Sequence, residues 1–342
     1  MKNTRFEKFK FGNGKTALNR VVVPPMASQT ADQSGHATPR TIAHYEKLSM
    51  SGAGIVFVEY SFIHSSGRGE ENQLGIDTED KVKGLSRIAS AIQKNGSLAG
   101  IQIVHVGGKT TSALAGGMPI GPSAKAVPVK GWQPEAPREA CLEDIQDLTT
   151  WYLQAANRAF EAGFDFLELH AAHGYGLNQW LSPLTNQRAD EFGGSIENRA
   201  RLLLNVVGNI KQKLPGLLLA VRLPAQDHLP GGLVPSEMAW VAQQLQKLGV
   251  DLIDVSSGLG GWRRKDNRIE QGYLVEDAAT IKKAISVPVI GVGGILDGAT
   301  IDQFLLDGKV DFAAVGRAIL KEPQQWGESH LMENCFPKEL VS

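Results

Sequence analysis

Eight short apolar segments, each followed by a stretch of helical periodicity, constrain this chain more than any other feature. They run from Arg20 to Pro24, Gly54 to Glu59, Leu98 to Val104, Phe164 to Leu169, Leu217 to Leu223, Val250 to Val255, Val287 to Gly291 and Val310 to Val315. Runs rich in Val, Ile and Leu without polar alternation mark strands covered on both faces, as in a parallel sheet. Eight strand-helix units are the number that closes a barrel, so the expected fold class is α/β, a (β/α)8 TIM barrel. Intervening stretches such as TEDKVKGLSRIASAIQKNG and PSEMAWVAQQLQKLG open on Ser, Thr, Asp or Pro and close on Gly, as helix ends do.

No composition break or low-complexity tract suggests a linker, so residues 1–342 are expected to form a single domain. Two decorations stand out. FKFGNGKTALNR carries Asn13-Gly14 between apolar and basic residues, the signal of an N-terminal hairpin placed to plug one mouth of the barrel. The longest insertion, from about Val106 to Ala140, follows the third strand and is rich in Gly, Pro, Ser and Ala. A loop of that length is uncommon unless it is functional, and it is expected to form a lid over the open face.

Lys and Arg number 35 against 36 Asp and Glu, a net charge of -1, so no basic excess argues for nucleic acid or an anionic membrane surface. The expected partner is a small molecule. Cys141 and Cys335 lie far apart without metal or redox spacing, which fits a reducing cytosol rather than a disulfide framework. MKNTRFEKFKFGNGK lacks a signal-peptide core, and no run of about 18 apolar residues occurs. A cytoplasmic location is the expectation.

The chemistry concentrates after the fourth segment, where His170, His173 and Tyr175 follow an apolar strand in LELHAAHGYG. In a barrel, that end of a strand carries catalytic residues. HxxH can hold a metal ion if a third ligand, such as a nearby carboxylate, joins it; it can be a structural pair; or it can offer two donors to a substrate oxygen, beside a phenol that supplies a proton. Arg222 interrupts the apolar fifth strand, and a buried guanidinium requires a partner. Either Glu59 or Glu168 pairs with it, or it contacts an electron-rich ring such as a flavin. Gln102 on the third strand either serves that ring or bonds to backbone. Gly293 and Gly294 in GVGGI, with Gly316 and Arg317 in VGRAIL, follow the last two strands. Glycine there makes either plain tight turns or the phosphate cradle usual for such barrels.

The block HAAHGYGLNQWLSPLTNQRADEFGGSIENRARL closely resembles the signature of the old yellow enzyme family, and the likeness runs from NRVVVPPMA to GRAIL. The resemblance implies non-covalent FMN at the C-terminal mouth of the barrel. Pro25, Met26 and Ala27 would lie along the flavin, Gln102 and Arg222 would hold its pyrimidine edge, and Gly293, Gly294, Gly316 and Arg317 its phosphate. It further implies that NADH or NADPH reduces the flavin and that His170 and His173 bind the carbonyl or nitro oxygen of an activated alkene. Hydride would then reach the β carbon and Tyr175 would protonate the α carbon. A specialised flavin-dependent demethylase or ring reductase is the alternative within that chemistry, and a metal-dependent barrel lyase or hydrolase the alternative outside it. No GxGxxG motif is present to separate NADH from NADPH.

The chain departs from the family pattern in several places. Ala27 stands where relatives commonly carry Cys or Thr against the flavin, Gln29 where many have a substrate-contacting tyrosine, and Tyr60 where a small residue is usual beside the flavin. The C-terminus, ESHLMENCFPKELVS, lacks an arginine that some relatives insert into a neighbouring subunit's site, so an oligomeric state does not carry over. Gln29 and Tyr60 are therefore candidate substrate contacts, and Tyr60 a flavin contact as well.

Overall fold

The structure, a computed structural model, describes residues 4–129, 131–132, 134–260 and 270–331. An antiparallel hairpin comes first, β1 (Phe9–Lys10) and β2 (Thr16–Ala17), its turn containing Gly14 at φ +90°, a conformation that favours glycine. The barrel strands are β3 (Val21–Val23), β4 (Ile55–Phe62), β5 (Leu98–Val104), β8 (Phe166–His170), β9 (Leu218–Pro224), β10 (Leu252–Ser256), β11 (Val289–Val292) and β12 (Phe312–Ala314). Between β5 and β8 the insertion contributes a short parallel pair, β6 (Ile120–Gly121) and β7 (Arg138–Glu139). All eight barrel strands pair in parallel, and β12 against β3 closes the ring with Ala313 beside Val21.

The segment boundaries differ from the expected ones for local reasons. β8 starts at Phe166 rather than Phe164, because Gly163 turns the chain at φ +82° and the Asp165 side chain caps Ala99 N at 2.8 Å. β4 continues beyond Glu59 to Phe62, since a register shift between Val58 and Ser61 lets it stay paired with β5. That extension places Tyr60 inside the strand.

Helices cover the outside. In Leu142–Glu161 the buried positions Ile145, Leu148, Tyr152, Ala155, Ala156 and Ala159 recur at helical spacing, and the Asp144 carboxylate accepts from Cys141 N at 2.7 Å to cap the first turn. The outward residues of the strands, such as Val56, Ile101, Leu167, Val221 and Ile253, meet these helices in one core.

Inward residues form a second core, and its composition changes along the strands. At the N-terminal end Ile55, Phe57, Phe166, Leu218, Leu252, Ile290 and Phe312 fill the barrel. The hairpin adds Phe11, whose ring meets Phe166 edge-on at 4.9 Å. Two and four residues further along, the same inward rows carry Gln102, Glu168, His170, Arg222, Asp254 and Ser256. Side chains alternate with period two, so one strand delivers Phe166 to an apolar floor and Glu168 then His170 to a polar mouth.

In the insertion, a helix spans Ser112–Ala115, and the buried Val127 lies against Gly174 in the loop after β8, where an added Cβ would come within 3.2 Å of its Cγ1. Positions 130 and 133 of the expected lid, and Cys335, lie outside the described residues. Among the described residues no helix is long and apolar enough to cross a membrane.

Candidate active site

The ladder register assembles the mouth. Gln102 pairs with Glu168, His170 with Arg222 and Arg222 with Asp254 across β5, β8, β9 and β10, so four strands present their inward polar residues at nearly one level. Above them, the loop after β8 folds back through a main-chain bond from His173 N to Ser257 O of 2.9 Å.

His173 adopts φ +59°, a left-handed conformation that costs a non-glycine residue on the order of 1 kcal/mol or more. Its carbonyl is held by Lys109 Nζ at 2.6 Å. The result is an imidazole turned toward its neighbour, with His173 Nδ1 and His170 Nε2 at 3.3 Å. Both rings are kept neutral, well below the ordinary histidine range, by burial first and by the Arg222 charge second. The tautomers follow from the bonds. His170 Nδ1 accepts from Ala172 N at 3.3 Å, so its proton is on Nε2 and donates to His173 Nδ1; His173 Nε2 then donates to Ser256 Oγ at 2.6 Å. The His170 Nε2–H thus sits in a long bond that an entering oxygen can replace at small cost, while the His173 Nε2–H is held by Ser256.

Tyr175 borders the pair, its ring centre 4.9 Å from that of His170 in an edge-on contact. Burial and the Glu70 charge keep its phenol protonated, pushing it up to about 12. Lys109 Nζ lies 4.4 Å from the centre of the same ring, and burial brings its ammonium down to about 8. Tyr60 stacks on Tyr175 with ring centres 5.2 Å apart and donates to Glu70 Oε1 at 2.6 Å. Gln29, at φ +51°, is exposed and donates to the other oxygen of Glu70 at 3.1 Å, so it joins the rim and not the histidine pair.

Below lies a ring of charge. Arg222 pairs with Asp254, Nε to Oδ2 3.0 Å, and not with Glu59 or Glu168. Glu59 points away from the mouth, where Tyr45 Oη donates to it at 3.1 Å and Ser28 N at 3.2 Å. Glu168 accepts from Gln102 Nε2 at 2.7 Å, so Gln102 serves a carboxyl rather than backbone. Burial and then the Asp254 charge raise Glu168 well above the carboxylate range, while Arg222 pulls against the rise that burial imposes on Asp254. Glu168 is therefore the protonated member, and Asp254 carries the charge that balances Arg222. Glu168 Oε2 and Asp254 Oδ1 are buried with no hydrogen-bond partner, while Arg222 Nε faces Asp254 Oδ2 as an ion pair without the alignment of a hydrogen bond. Each such atom costs about 1–3 kcal/mol unless another group completes it.

A flavin fits these residues. Its pyrimidine edge offers both acceptors and a donor, which the unsatisfied atoms lack. In the loops after adjacent strands β11 and β12, Gly293 and Gly294 turn at φ +133° and +65°, and Gly316 precedes the helix Arg317–Lys321. A Cβ on Gly316 would come within 3.2 Å of the Met26 sulfur, so the eighth-strand loop and the Pro25, Met26 and Ala27 segment after β3 abut each other. Among the described residues no group of three His, Cys, Asp or Glu side chains is placed to hold a metal ion.

Four contributors escape a reading of the sequence. Asp254 and Ser256 carry a signal, an acid and a hydroxyl breaking the run VDLIDVSS at inward positions opposite the strand of Arg222. Lys109 and Glu70 sit in irregular loops and reach the site only through long-range folding.

Residues 5–328 match the NADH:flavin oxidoreductase / NADH oxidase family. An NADPH dehydrogenase of Clostridium acetobutylicum is 36% identical over 325 residues, covering 94% of each chain. The old yellow enzyme homologue from Zymomonas mobilis superposes with a TM-score of 0.81 at 26% identity over 94% of this chain and 91% of that one. A 2-naphthoyl-CoA reductase in complex with 2-naphthoyl-CoA superposes with a TM-score of 0.88 at 26% identity, over 95% of this chain and 51% of its own. The chain belongs to the NADH:flavin oxidoreductase / NADH oxidase family, that of old yellow enzyme, whose members are FMN-dependent NAD(P)H oxidoreductases.

Proposed function

We propose that this oxidoreductase reduces alkenes conjugated to a carbonyl or nitro group. The observation that carries the reading is the neutral His170 and His173 pair beside a protonated Tyr175 at the polar mouth. An electron-withdrawing oxygen would take the His170 Nε2 and His173 Nε2 protons as hydrogen bonds, which strengthen as enolate charge develops. Tyr175 would hold its proton for the carbon α to that group. FMN would rest along Pro25, Met26, Ala27 and Tyr60, with Gln102 and Arg222 at its pyrimidine edge and Gly293, Gly294, Gly316 and Arg317 at its phosphate. The chemistry supplied by bound FMN is two-electron transfer from NADH or NADPH to the β carbon.

The test is anaerobic. FMN-loaded protein is bleached with a reduced nicotinamide and mixed with 2-cyclohexenone or a maleimide; return of the yellow colour is expected. A bleached flavin that no activated alkene reoxidises would overturn the reading. A ring reductase acting on an aromatic thioester is the second reading, favoured by the fold-level likeness to the naphthoyl-CoA enzyme. It predicts reoxidation by aryl-CoA esters and slow turnover of simple enones.

A further inference from the structure

His173 stands in a left-handed conformation that only firm surroundings can hold, and two separate sets of bonds fix it and its neighbour Gly174. From β10 and the residue after it, Ser256 Oγ accepts from His173 Nε2 at 2.6 Å and Ser257 O from His173 N at 2.9 Å. From the helix Gly176–Leu181, which begins directly after Tyr175, Asn178 Oδ1 accepts from Gly174 N at 2.7 Å and Gln179 Nε2 donates to Gly174 O at 2.7 Å. Both sets lead back to one buried carboxylate, Asp227, in the loop after β9. Its Oδ1 accepts from Leu259 N at 2.8 Å, a little beyond Ser256 and Ser257. Its Oδ2 accepts from Ser182 Oγ at 2.6 Å, at the C-terminal end of the helix, and from Leu233 N at 2.9 Å. The socket is closed: a Cβ on Gly232 would come within 2.7 Å of Asp227 Cβ, and one on Gly260 within 2.7 Å of the Asp227 carbonyl oxygen.

We infer that Asp227 is a positioning residue for alkene reduction: a single carboxylate joins the loops after β8, β9 and β10 and so fixes where His173 and Tyr175 point. It acts through Ser182 and the helix on one side, and through Leu259 and the Ser256–Ser257 segment on the other. The inference rests on the reading that the histidine pair grips the activating oxygen. Main-chain N–H groups only donate, so a carboxylate, with acceptors at both oxygens, meets Leu233 and Leu259 together. An amide of the same shape does not: whichever way it is turned, its NH2 group faces one of those two donors. Once either side is freed, the chain at His173 loses part of what keeps it in the left-handed region, and the imidazole leaves its line. A misplacement of about 1 Å costs up to about a hundredfold in rate.

The experiment compares wild type, Asp227→Asn and Ser182→Ala, each loaded with FMN, and repeats Asp227→Asn in a background carrying His170→Ala and His173→Ala. Affinity for a phenolic ligand is read by spectral titration, and flavin reoxidation by 2-cyclohexenone by anaerobic stopped flow; FMN content reports the scaffold. Asp227→Asn should weaken the phenolic ligand and slow reoxidation by roughly tenfold, with FMN content at the wild-type level. Ser182→Ala keeps both main-chain bonds to Asp227 and should act in the same direction by about threefold. In the background without the histidines, Asp227→Asn should leave ligand affinity unchanged, since the groups it positions are gone. Wild-type affinity and reoxidation in both variants, or a loss from Asp227→Asn that persists in full without the histidines, would overturn the positioning role. If Asp227→Asn does not fold, wild-type behaviour of Ser182→Ala alone overturns it. If removing the histidines itself leaves phenolic affinity unaltered, the reading beneath the inference fails instead, and the two failures are told apart.

Discussion

The floor and the mouth of the barrel are built by the same strands, two or four residues apart, and obey opposite rules. At the floor Phe57, Phe166 and Phe312 interlock with Phe11 of the hairpin in an apolar cluster, which the Arg20 guanidinium covers from over the Phe9 and Phe312 rings. At the mouth Glu168, Arg222 and Asp254 are as deeply buried, yet three of their polar atoms have no hydrogen-bond partner. The floor is complete by itself, whereas the mouth is complete only with something bound. The contrast teaches where stability and chemistry reside: a change at the floor should be felt in folding, and a change at the mouth in ligand affinity and turnover.

The largest expected effect breaks the floor. Phe166→Ala should remove about 3–5 kcal/mol of unfolding free energy in urea, through lost burial and the cavity left among Phe11 and Phe57. Any folded fraction should still take up FMN; a stable variant unable to bind FMN would reverse the assignment of roles. Next comes the mouth. Replacing His170 and His173 together by Ala should weaken a phenolate ligand by about 1.5–3 kcal/mol, on the order of ten- to a hundredfold, in a spectral titration. The urea midpoint should move far less than for Phe166→Ala, and an equal fall in both would erase the distinction.

Acid should probe the same boundary. His170 is held below its ordinary value of 6.5 by burial, and burial brings His105 down to about 3. The native state favours neutral rings, so the unfolded chain binds more protons at low pH; stability is whole above pH 6.5 and falls as the pH drops from there toward the native values. Each histidine contributes a slope of about 1.4 kcal/mol per pH unit in that window. Unfolding free energies of His170→Asn between pH 6.5 and 5 should show a slope shallower by that amount, and an unchanged slope would mean the ring is not neutral. The smallest effect is expected from Ser256→Ala, which frees His173 Nε2 and should change phenolate affinity by about 1 kcal/mol or less.

The outline of the floor was legible in the sequence because it depends on periodicity alone: eight apolar runs, with β5 falling on Leu98–Val104 as expected. The histidines and Tyr175 were legible because they cluster in one block. The partner of Arg222 was not, since choosing among Glu59, Glu168 and Asp254 requires knowing which face each occupies, and one residue of offset decides it. Glu59 turns outward to Tyr45, while Asp254 turns inward beside Arg222. Lys109 and Glu70 were hidden for a different reason: irregular loops carry no period from which to read a direction.

Closure of the ring through Ala313 and Val21 has a consequence for how the polypeptide is made. The earliest barrel strand to leave the ribosome finds its second neighbour only when the last one has emerged, so β3 must wait with one edge bare through nearly the whole of translation. Loop-closure entropy opposes that final pairing until both ends are present, which makes the seam between β12 and β3 the natural late step of folding and the place where a stalled chain is most exposed to aggregation.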